Sequence, residues 1–515
     1  MKILIIIGFL VNSIILLIYH MHMFQLNSYF FKKHVRWMKA NTKKIITQMI
    51  TIAIPTLLLC FNNTFCNIIC ILLLGWNIFN NYPKGKAKTP FNVTHRVKRM
   101  FFTEAILILL TLILTYKSSY ILVVLGLLNI LSIVFCMIAN FINYPFEFLS
   151  RKHYVDEAKK IINDMPNLLV IGVTGSYGKT SVKNYLVKTL SAKYEVLTTP
   201  KNYNTTLGVA KTIRENLKPT HQIFVCEMGA TKLGDIKEIC DIVNPKIGII
   251  TAIGPQHLES FKSIENIIKT KFELMDSVNK NGGVTFLNCS NEYLAKQKVE
   301  GNVFKYGIRN NILDYNSYNL SSSSQGLSFT MFDKKFNKEV EFKTKLIGKH
   351  NAVNLTAAVA VSNYLDIPLD SLVSRVREIK NVEHRLQLIN HGDLTIIDDS
   401  YNSNPVSSKS ALDTLADFSG TKIIVTPGLI ELGNDSKKYN FELGKYIANV
   451  CDYAVLVNSE PAKSILEGIK STDFDTHKIF NVATPQEAMQ KISSLNITGK
   501  ITVLLENDLP DNYNV

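Results

Sequence analysis

Five long apolar runs crowd the first third of the chain: Ile3 to Tyr19, Ile45 to Phe61, Thr64 to Phe79, Phe101 to Tyr116 (interrupted only by Glu104) and Tyr120 to Ile142. Each approaches or reaches the ~20 residues that a helix needs to cross ~30 Å of hydrocarbon. The stretch from Ile45 to Phe79 is too long for one crossing, and Asn62-Asn63 at its middle supplies the polar turn of a helical hairpin. Residues 1–150 therefore read as a membrane domain of about five transmembrane helices, with four as the alternative. A signal peptide is disfavoured for the first run, because Lys2 is a weak n-region and no small-residue cleavage site follows.

Charge tests that count. Residues 1–150 hold fourteen Lys and Arg against two acids, Glu104 and Glu147, and so carry +12 of the formal +15. Six bases lie between Lys32 and Lys44 and six between Lys84 and Arg99, whereas Asn62-Asn63 has none and the turn near Lys117 has one. Five spans put both basic loops and everything after residue 150 on one side, which the positive-inside rule makes the cytoplasm. Membrane topology accounts for the basic excess, so nucleic acid is not an expected partner. Glu104 is expected at the interface, near a helix end. The eight cysteines show neither a CxxC pair nor a histidine at zinc spacing, which suits reduced, buried thiols.

Beyond residue 150, β-branched runs alternate with helical periodicity, the pattern of α/β domains. Leu168 to Thr174 reads as a buried strand. Gly175-Ser176-Tyr177-Gly178-Lys179-Thr180-Ser181 follows at once, and then a helix in which Val182, Leu186 and Leu190 recur every four residues. Strand, glycine turn and helix N-terminus form an anion site, with Lys179 as a point charge and Thr180 as a hydroxyl for Mg²⁺. The general P-loop pattern has a glycine where Val173 stands, so the signal lies in the context rather than in the string alone. Residues 151–380 are expected to form the central ATP-binding domain and 381–515 a Rossmann-like domain, with Lys422 to Val425, Tyr453 to Asn458 and Ile501 to Glu506 among its strands. Val303 to Ile308, Leu327 to Phe332 and Val340 to Leu346 suggest an antiparallel appendage, with Ser321 to Ser324 as a flexible tip.

Further motifs recur along the soluble part. They are Lys201-Asn202-Tyr203-Asn204-Thr205-Thr206-Leu207-Gly208, Glu227-Met228-Gly229-Ala230, Ile253-Gly254-Pro255-Gln256-His257-Leu258-Glu259 and Lys269-Thr270-Lys271-Phe272-Glu273. His350-Asn351-Ala352-Val353-Asn354, Glu383-His384-Arg385-Leu386 and Asp398-Asp399-Ser400-Tyr401-Asn402-Ser403-Asn404-Pro405 come next. With the glycine turn, these strings resemble, in order, those of the Mur ligases, which add amino acids to the peptidoglycan precursor. The EMGA and HLE strings look like the branch that adds D-alanyl-D-alanine.

The resemblance implies a bacterial, ATP-dependent carboxylate–amine ligase working through an acyl phosphate with two Mg²⁺ ions. Gly175, Ser176, Gly178, Lys179, Thr180 and Ser181 would cradle the phosphates, and Thr180, Glu227 and His257 would ligate magnesium. Asn351 and Asn354 would meet adenine, while Arg385 and Asp399 would approach phosphates and ribose. Lys271, or Lys269 two residues earlier, would be the lysine that some members carbamylate. Asn204, Thr205, Asn402 and Asn404 would contact substrate, and Lys179, Lys271, His257 and Arg385 would carry the catalysis. Taken singly, Asn351 could be a helix cap, Arg385 a surface ion-pair member and His257 a satisfied loop histidine.

The expected partners are a small-molecule or lipid-linked cell-wall precursor, an amino acid or dipeptide, and the membrane. The expected location is the bacterial cell membrane, multi-pass, with the catalytic domains in the cytoplasm. Two departures bear on the substrates. The membrane domain stands where the family has a domain that grips a UDP-sugar, and Thr426-Pro427-Gly428-Leu429-Ile430-Glu431-Leu432-Gly433 lacks the aspartate of the family's GDMxELG, with Asn440 where a histidine is common. A ligase of another polymer, such as poly-γ-glutamate, and a non-catalytic nucleotide-binding scaffold remain the alternatives. Oligomeric state is left open.

Overall fold

The structure, a computed structural model, describes residues 2–61, 63–81, 90–115, 120–200, 203–401 and 403–507. Asn62, Lys84, Lys86, Lys88 and Lys117, on which the loop-charge reading partly leans, lie outside them. The chain divides into two compact units, with the boundary between Lys152 and His153.

The first unit is helical throughout. Its long helices are Lys2–Leu26, Thr42–Leu58 with a 3₁₀ turn to Phe61, Thr64–Asn81, His95–Thr115 and Ser132–Asn163, the last crossing the unit boundary. Among the described residues, Lys2–Leu26, Thr42–Phe61 and Ser132–Asn163 are long and apolar enough to cross a membrane. In its described residues each of the five apolar runs is helical, but the fifth is broken at Leu131, which separates Ile121–Ile130 from Ser132–Asn163. Large apolar side chains such as Phe65, Phe102, Leu114 and Phe141 are exposed, while Asn12 and Asn129 are buried and bonded at 3.0 Å.

Two expectations are corrected here. The basic stretch after Lys32 is a helix, Phe31–Ala40, because it contains neither Gly nor Pro and its His34 and Trp37, three apart, bury a common face. Glu104 is not near a helix end: the helix begins at His95, ahead of the apolar run, and so draws Glu104 to mid-helix, where it is buried.

The second unit holds two sheets. The first is β1 (Leu169–Thr174), β2 (Val196–Thr198), β3 (Ile223–Glu227), β4 (Ile247–Ile250), β5 (Val284–Asn288), β6 (Val303–Ile308), β7 (Tyr315–Ser323), β8 (Gly326–Asp333) and β9 (Lys338–Thr344), in the order β2-β3-β1-β4-β5-β6-β7-β8-β9. Strands β2 to β7 pair parallel, and β8 and β9 add antiparallel. Val303–Ile308 therefore extends the parallel sheet instead of starting the appendage. Ser321 to Ser323 are in strand, with Ser323 opposite Gly326, because backbone pairing holds a serine run whose side chains carry no apolar pattern.

Period two distributes β1 between two cores. Ile171 and Val173 pack with Val182, Leu186 and Leu355 on one face, and Val170 packs with Phe224, Ile239 and Leu274 on the other. A Cβ on Gly172 would lie 2.7 Å from Leu274 Cδ1, so this glycine lets helix Ile264–Lys280 approach the sheet closely.

The second sheet contains β10 (Gln387–His391), β11 (Leu394–Asp399), β12 (Thr421–Thr426), β13 (Tyr453–Val457), β14 (Ile479–Val482) and β15 (Ile501–Glu506), ordered β10-β11-β15-β12-β13-β14. All its pairs but β10–β11 are parallel. Helices Pro405–Ala416, Ser436–Val450 and Glu460–Lys470 cover one core, built on Leu412, Ile447, Ile465 and Ile424.

Candidate active site

Strand β1 ends at Thr174 and the chain turns through Gly175 and Gly178 at φ 151° and 82°. A side chain is barred at both: a Cβ would lie 2.1 Å from Thr251 Oγ1 at Gly175 and 2.9 Å from Asn354 Oδ1 at Gly178. The segment after β4 fastens the turn. Ser176 N–H donates to the Ala252 carbonyl at 2.7 Å, Gly254 N–H donates to Ser176 Oγ at 3.1 Å, and Thr251 Oγ1 donates to the Thr174 carbonyl at 3.2 Å. Helix Lys179–Leu190 starts directly behind, so its unpaired N–H groups and dipole face the turn.

Lys179 folds back over this turn and donates to the carbonyls of Gly175 at 2.8 Å and Ser176 at 3.2 Å. Burial pulls its ammonium down to about 8; nearby Glu227 opposes the shift and Arg385 adds to it. Thr180 Oγ1 donates to Glu227 Oε1 at 3.2 Å, and Asn204 Nδ2 donates to the same oxygen at 2.9 Å. Lys183, buried with Glu227, stands 3.1 Å from Glu227 Oε2. Burial alone would raise the Glu227 carboxyl, but Lys183 and then Lys179 outweigh it and hold the group below its ordinary range.

Helix Ile264–Lys280 settles which of its two lysines faces inward: Lys271 is buried and Lys269 exposed. Burial, reinforced by Lys179, lowers the Lys271 ammonium to about 7. His257 caps the short helix Leu258–Phe261 at φ 53°, and its Nδ1 pairs with Glu431 Oε2. Among the described residues no three His, Cys, Asp or Glu side chains gather into a metal cluster.

The second sheet contributes Arg385. Its neighbours His384 and Leu386 both hold positive φ, 59° and 44°, which costs non-glycine residues energy and marks a turn fixed by its surroundings. His384 Nδ1 meets Asp398 Oδ2 at 2.7 Å, and Leu386 N–H donates to Asp399 Oδ1 at 3.2 Å. Thus braced, Arg385 lies over the Tyr401 ring at 4.6 Å and donates through Nη2 to Thr180 Oγ1 at 3.4 Å.

A cavity of about 340 Å³ opens between these elements, lined by Gly178, Ser181, Asn351, Asn354, Arg385 and Asp399 among others. Asn351 has both amide atoms engaged: Tyr185 OH donates to its Oδ1, and its Nδ2 donates to the Ile347 carbonyl, each at 2.8 Å. Asn354 abuts Gly178. Of the expected substrate residues, Asn204 joins the Glu227 cluster. Thr205 caps helix Thr206–Asn216, and Asn404 caps helix Pro405–Ala416 with its side-chain oxygen accepting from Val406 N–H and Ser407 N–H. Asn402 lies outside the described residues. Lys183 is a site residue that no motif marks, although it follows Lys179 by four residues on one helix face, and nothing in the sequence assigns a partner to Glu431 or Glu506.

With this geometry in view, comparison with known proteins decides the family. The Mur ligase middle domain matches residues 173–362, and the Mur ligase glutamate ligase domain matches residues 384–505. Residues 173–505 belong to the Mur ligase family. Among curated relatives, the UDP-N-acetylmuramoyl-tripeptide--D-alanyl-D-alanine ligase of Bacillus subtilis is 31% identical over 288 residues, 54% of this chain and 60% of that protein. The Escherichia coli ligase of the same name is 30% identical over 280 residues, 54% of this chain and 61% of its own length. The chain thus spans about three fifths of these Mur ligases. A crystal structure of MurF from Acinetobacter baumannii superimposes with TM-score 0.64 at 26% identity, covering 70% of this chain and 77% of that one. MurF from Thermotoga maritima in complex with ADP shares the fold at 24% identity, TM-score 0.62, covering 69% and 80%.

Proposed function

We propose that the chain is a membrane-anchored, ATP-dependent amide ligase that adds D-alanyl-D-alanine or a similar amine to the peptide of a cell-wall precursor. The observation that carries this reading is the meeting of Arg385, which leads into the second sheet, with Thr180, itself bonded to Glu227 behind the glycine turn, inside the region matched to the Mur ligases. Such an arrangement suits phosphoryl transfer, where positioning and charge neutralisation supply most of the catalysis.

In this reading ATP lies in the 340 Å³ cavity with its phosphates on the turn. Lys179 leaves the Gly175 and Ser176 carbonyls for the terminal phosphates, and Arg385 neutralises charge from the opposite side. A carboxylate oxygen of the acceptor attacks the γ-phosphorus, the bond to the bridging oxygen breaks, and ADP leaves. The amine nitrogen then attacks the acyl carbon of the resulting acyl phosphate, inorganic phosphate departs, and the nitrogen loses its proton. The Thr180 hydroxyl beside one Glu227 oxygen fits magnesium, which takes few protein ligands and completes its shell with phosphate and water. Mg²⁺ there would offset the growing negative charge. Lys271, dry and about half neutral near pH 7, suits reaction with CO₂ to a carbamate, which would turn a repelling cation into an anion for a second ion.

The helical unit supports a membrane location: large apolar side chains are exposed, Asn12 and Asn129 pair inside, and three helices have the length to cross. An anchor of that kind favours a lipid-linked acceptor at the cytoplasmic leaflet. The test is ADP release by the detergent-solubilised chain with MgATP, D-alanyl-D-alanine and either UDP-muramoyl tripeptide or its lipid-linked form. Release that requires both acceptor and dipeptide is expected. No release with either acceptor, or release with glutamate in place of the dipeptide, would reject the cell-wall version.

A further inference from the structure

One buried acid has no part in the chemistry above. Glu506 ends β15 with no exposure, and in the parallel register of β11 and β15 it stands opposite Asp399. Partners on neighbouring strands lie ~5 Å apart, so the two carboxyls share one space. The hydroxyls of Ser403 and Ser408 both donate to Glu506 Oε1. Among the described residues no N–H or hydroxyl reaches Oε2, and the Glu506 carboxyl is within hydrogen-bonding reach of the Asp399 carboxyl. Asp399 accepts from Leu386 N–H and lines the nucleotide cavity, with the Arg385 guanidinium within electrostatic reach.

Other charge is spent elsewhere. Asp398 is held by His384, Ser400 N–H and Ser400 Oγ, and Arg385 is the cation facing the pair among the described residues. Two carboxylates in a dry space with one cation, on the Asp399 side, cannot both ionise at modest cost. Burial and then the neighbouring Asp399 push Glu506 up to about 8, whereas burial raises Asp399 only to about 6 because Arg385 opposes it. The single proton therefore belongs on Glu506.

We propose that Glu506 is a positioning residue whose protonated carboxyl donates to Asp399, fixing Asp399 as the one anion that braces the Arg385 turn against bound nucleotide. The proposal rests on the nucleotide-ligase reading above. Losing that proton sets two anions against each other behind the turn, so nucleotide binding weakens as pH rises. Glu506→Gln keeps a donor for Asp399 and cannot ionise.

The experiment is fluorescence titration of the full chain in detergent with a non-hydrolysable, labelled ATP analogue and Mg²⁺ across neutral to alkaline pH. Wild type should lose about tenfold in affinity over one to two pH units, and E506Q less than about threefold. Equal losses in the two proteins overturn the proposal while leaving the nucleotide site intact. Absence of binding in wild type at every pH overturns both. Should E506Q lack a cooperative thermal transition, Ser408→Ala decides, because removing a donor to the ionised form moves the alkaline limb to higher pH. An unmoved limb overturns the proposal.

Discussion

Buried polar groups are handled differently in the two units. In the helical unit they are scattered in contacts that tie helix to helix: buried Asn12 to Asn129 at 3.0 Å, and buried Asn143 to half-buried Thr103 at 2.8 Å. In the α/β unit charged groups gather around one turn, where Lys183 and Lys179 lower Glu227, Lys179 adds to the lowering of Lys271, and Asp399 and Glu506 act on each other. Scattered pairs such as these stabilise an assembly. A concentration of charge, dry and only partly neutralised, is stable only because the sheet and helices around it are rigid, and it is poised to receive a charged ligand.

That contrast can be broken by substitution. Lys179→Ala should lower ATP turnover by about three orders of magnitude while leaving the thermal midpoint within a few degrees, because the ammonium serves bound phosphate more than the fold. Steady-state ADP release and a melting curve check both halves. Lys271→Ala should cost about a hundredfold in turnover, partly restored by added acetate, and Lys269→Ala should cost less than about twofold.

The same lysine gives a pH test. Its lowered ammonium leaves it charged below about pH 7 and neutral above, and only the neutral amine takes up CO₂. Activity in CO₂-depleted buffer should fall, and bicarbonate should restore it more fully at alkaline than at acid pH. Equal restoration at both would remove carbamylation from the account.

At the small end, Asn129→Leu should lower stability in detergent by about 1 kcal/mol and leave turnover per folded molecule unchanged. A large loss of turnover there would mean that the bundle's polar pairs are not only structural.

How much of this was legible before the structure follows the same division. The glycine turn was readable because it needs particular residues at fixed steps between an apolar strand and an amphipathic helix, and Gly175, Gly178 and Lys179 stand where that pattern puts them. Helix Phe31–Ala40 was hidden because clustered bases look like a loop until His34 and Trp37 are seen to share a buried face. Strand β7 was hidden because Ser321 to Ser323 are held by backbone hydrogen bonds, which leave no mark on side-chain pattern. Glu506 could not be found from spacing, since its partner Asp399 lies more than a hundred residues away and meets it only through strand register. The partnership of His257 with Glu431 was hidden by the same distance along the chain, here closed between two loops.

The central claim, that an acceptor carboxylate takes the γ-phosphoryl group before the amine arrives, is tested most directly by oxygen transfer. With an acceptor carrying ¹⁸O in its carboxylate, each inorganic phosphate released in the complete reaction should hold one ¹⁸O atom, and phosphate from Lys179→Ala should be barely detectable. Phosphate released without label, with ATP consumed, would mean that water and not the acceptor attacks, and the ligase assignment would be contradicted.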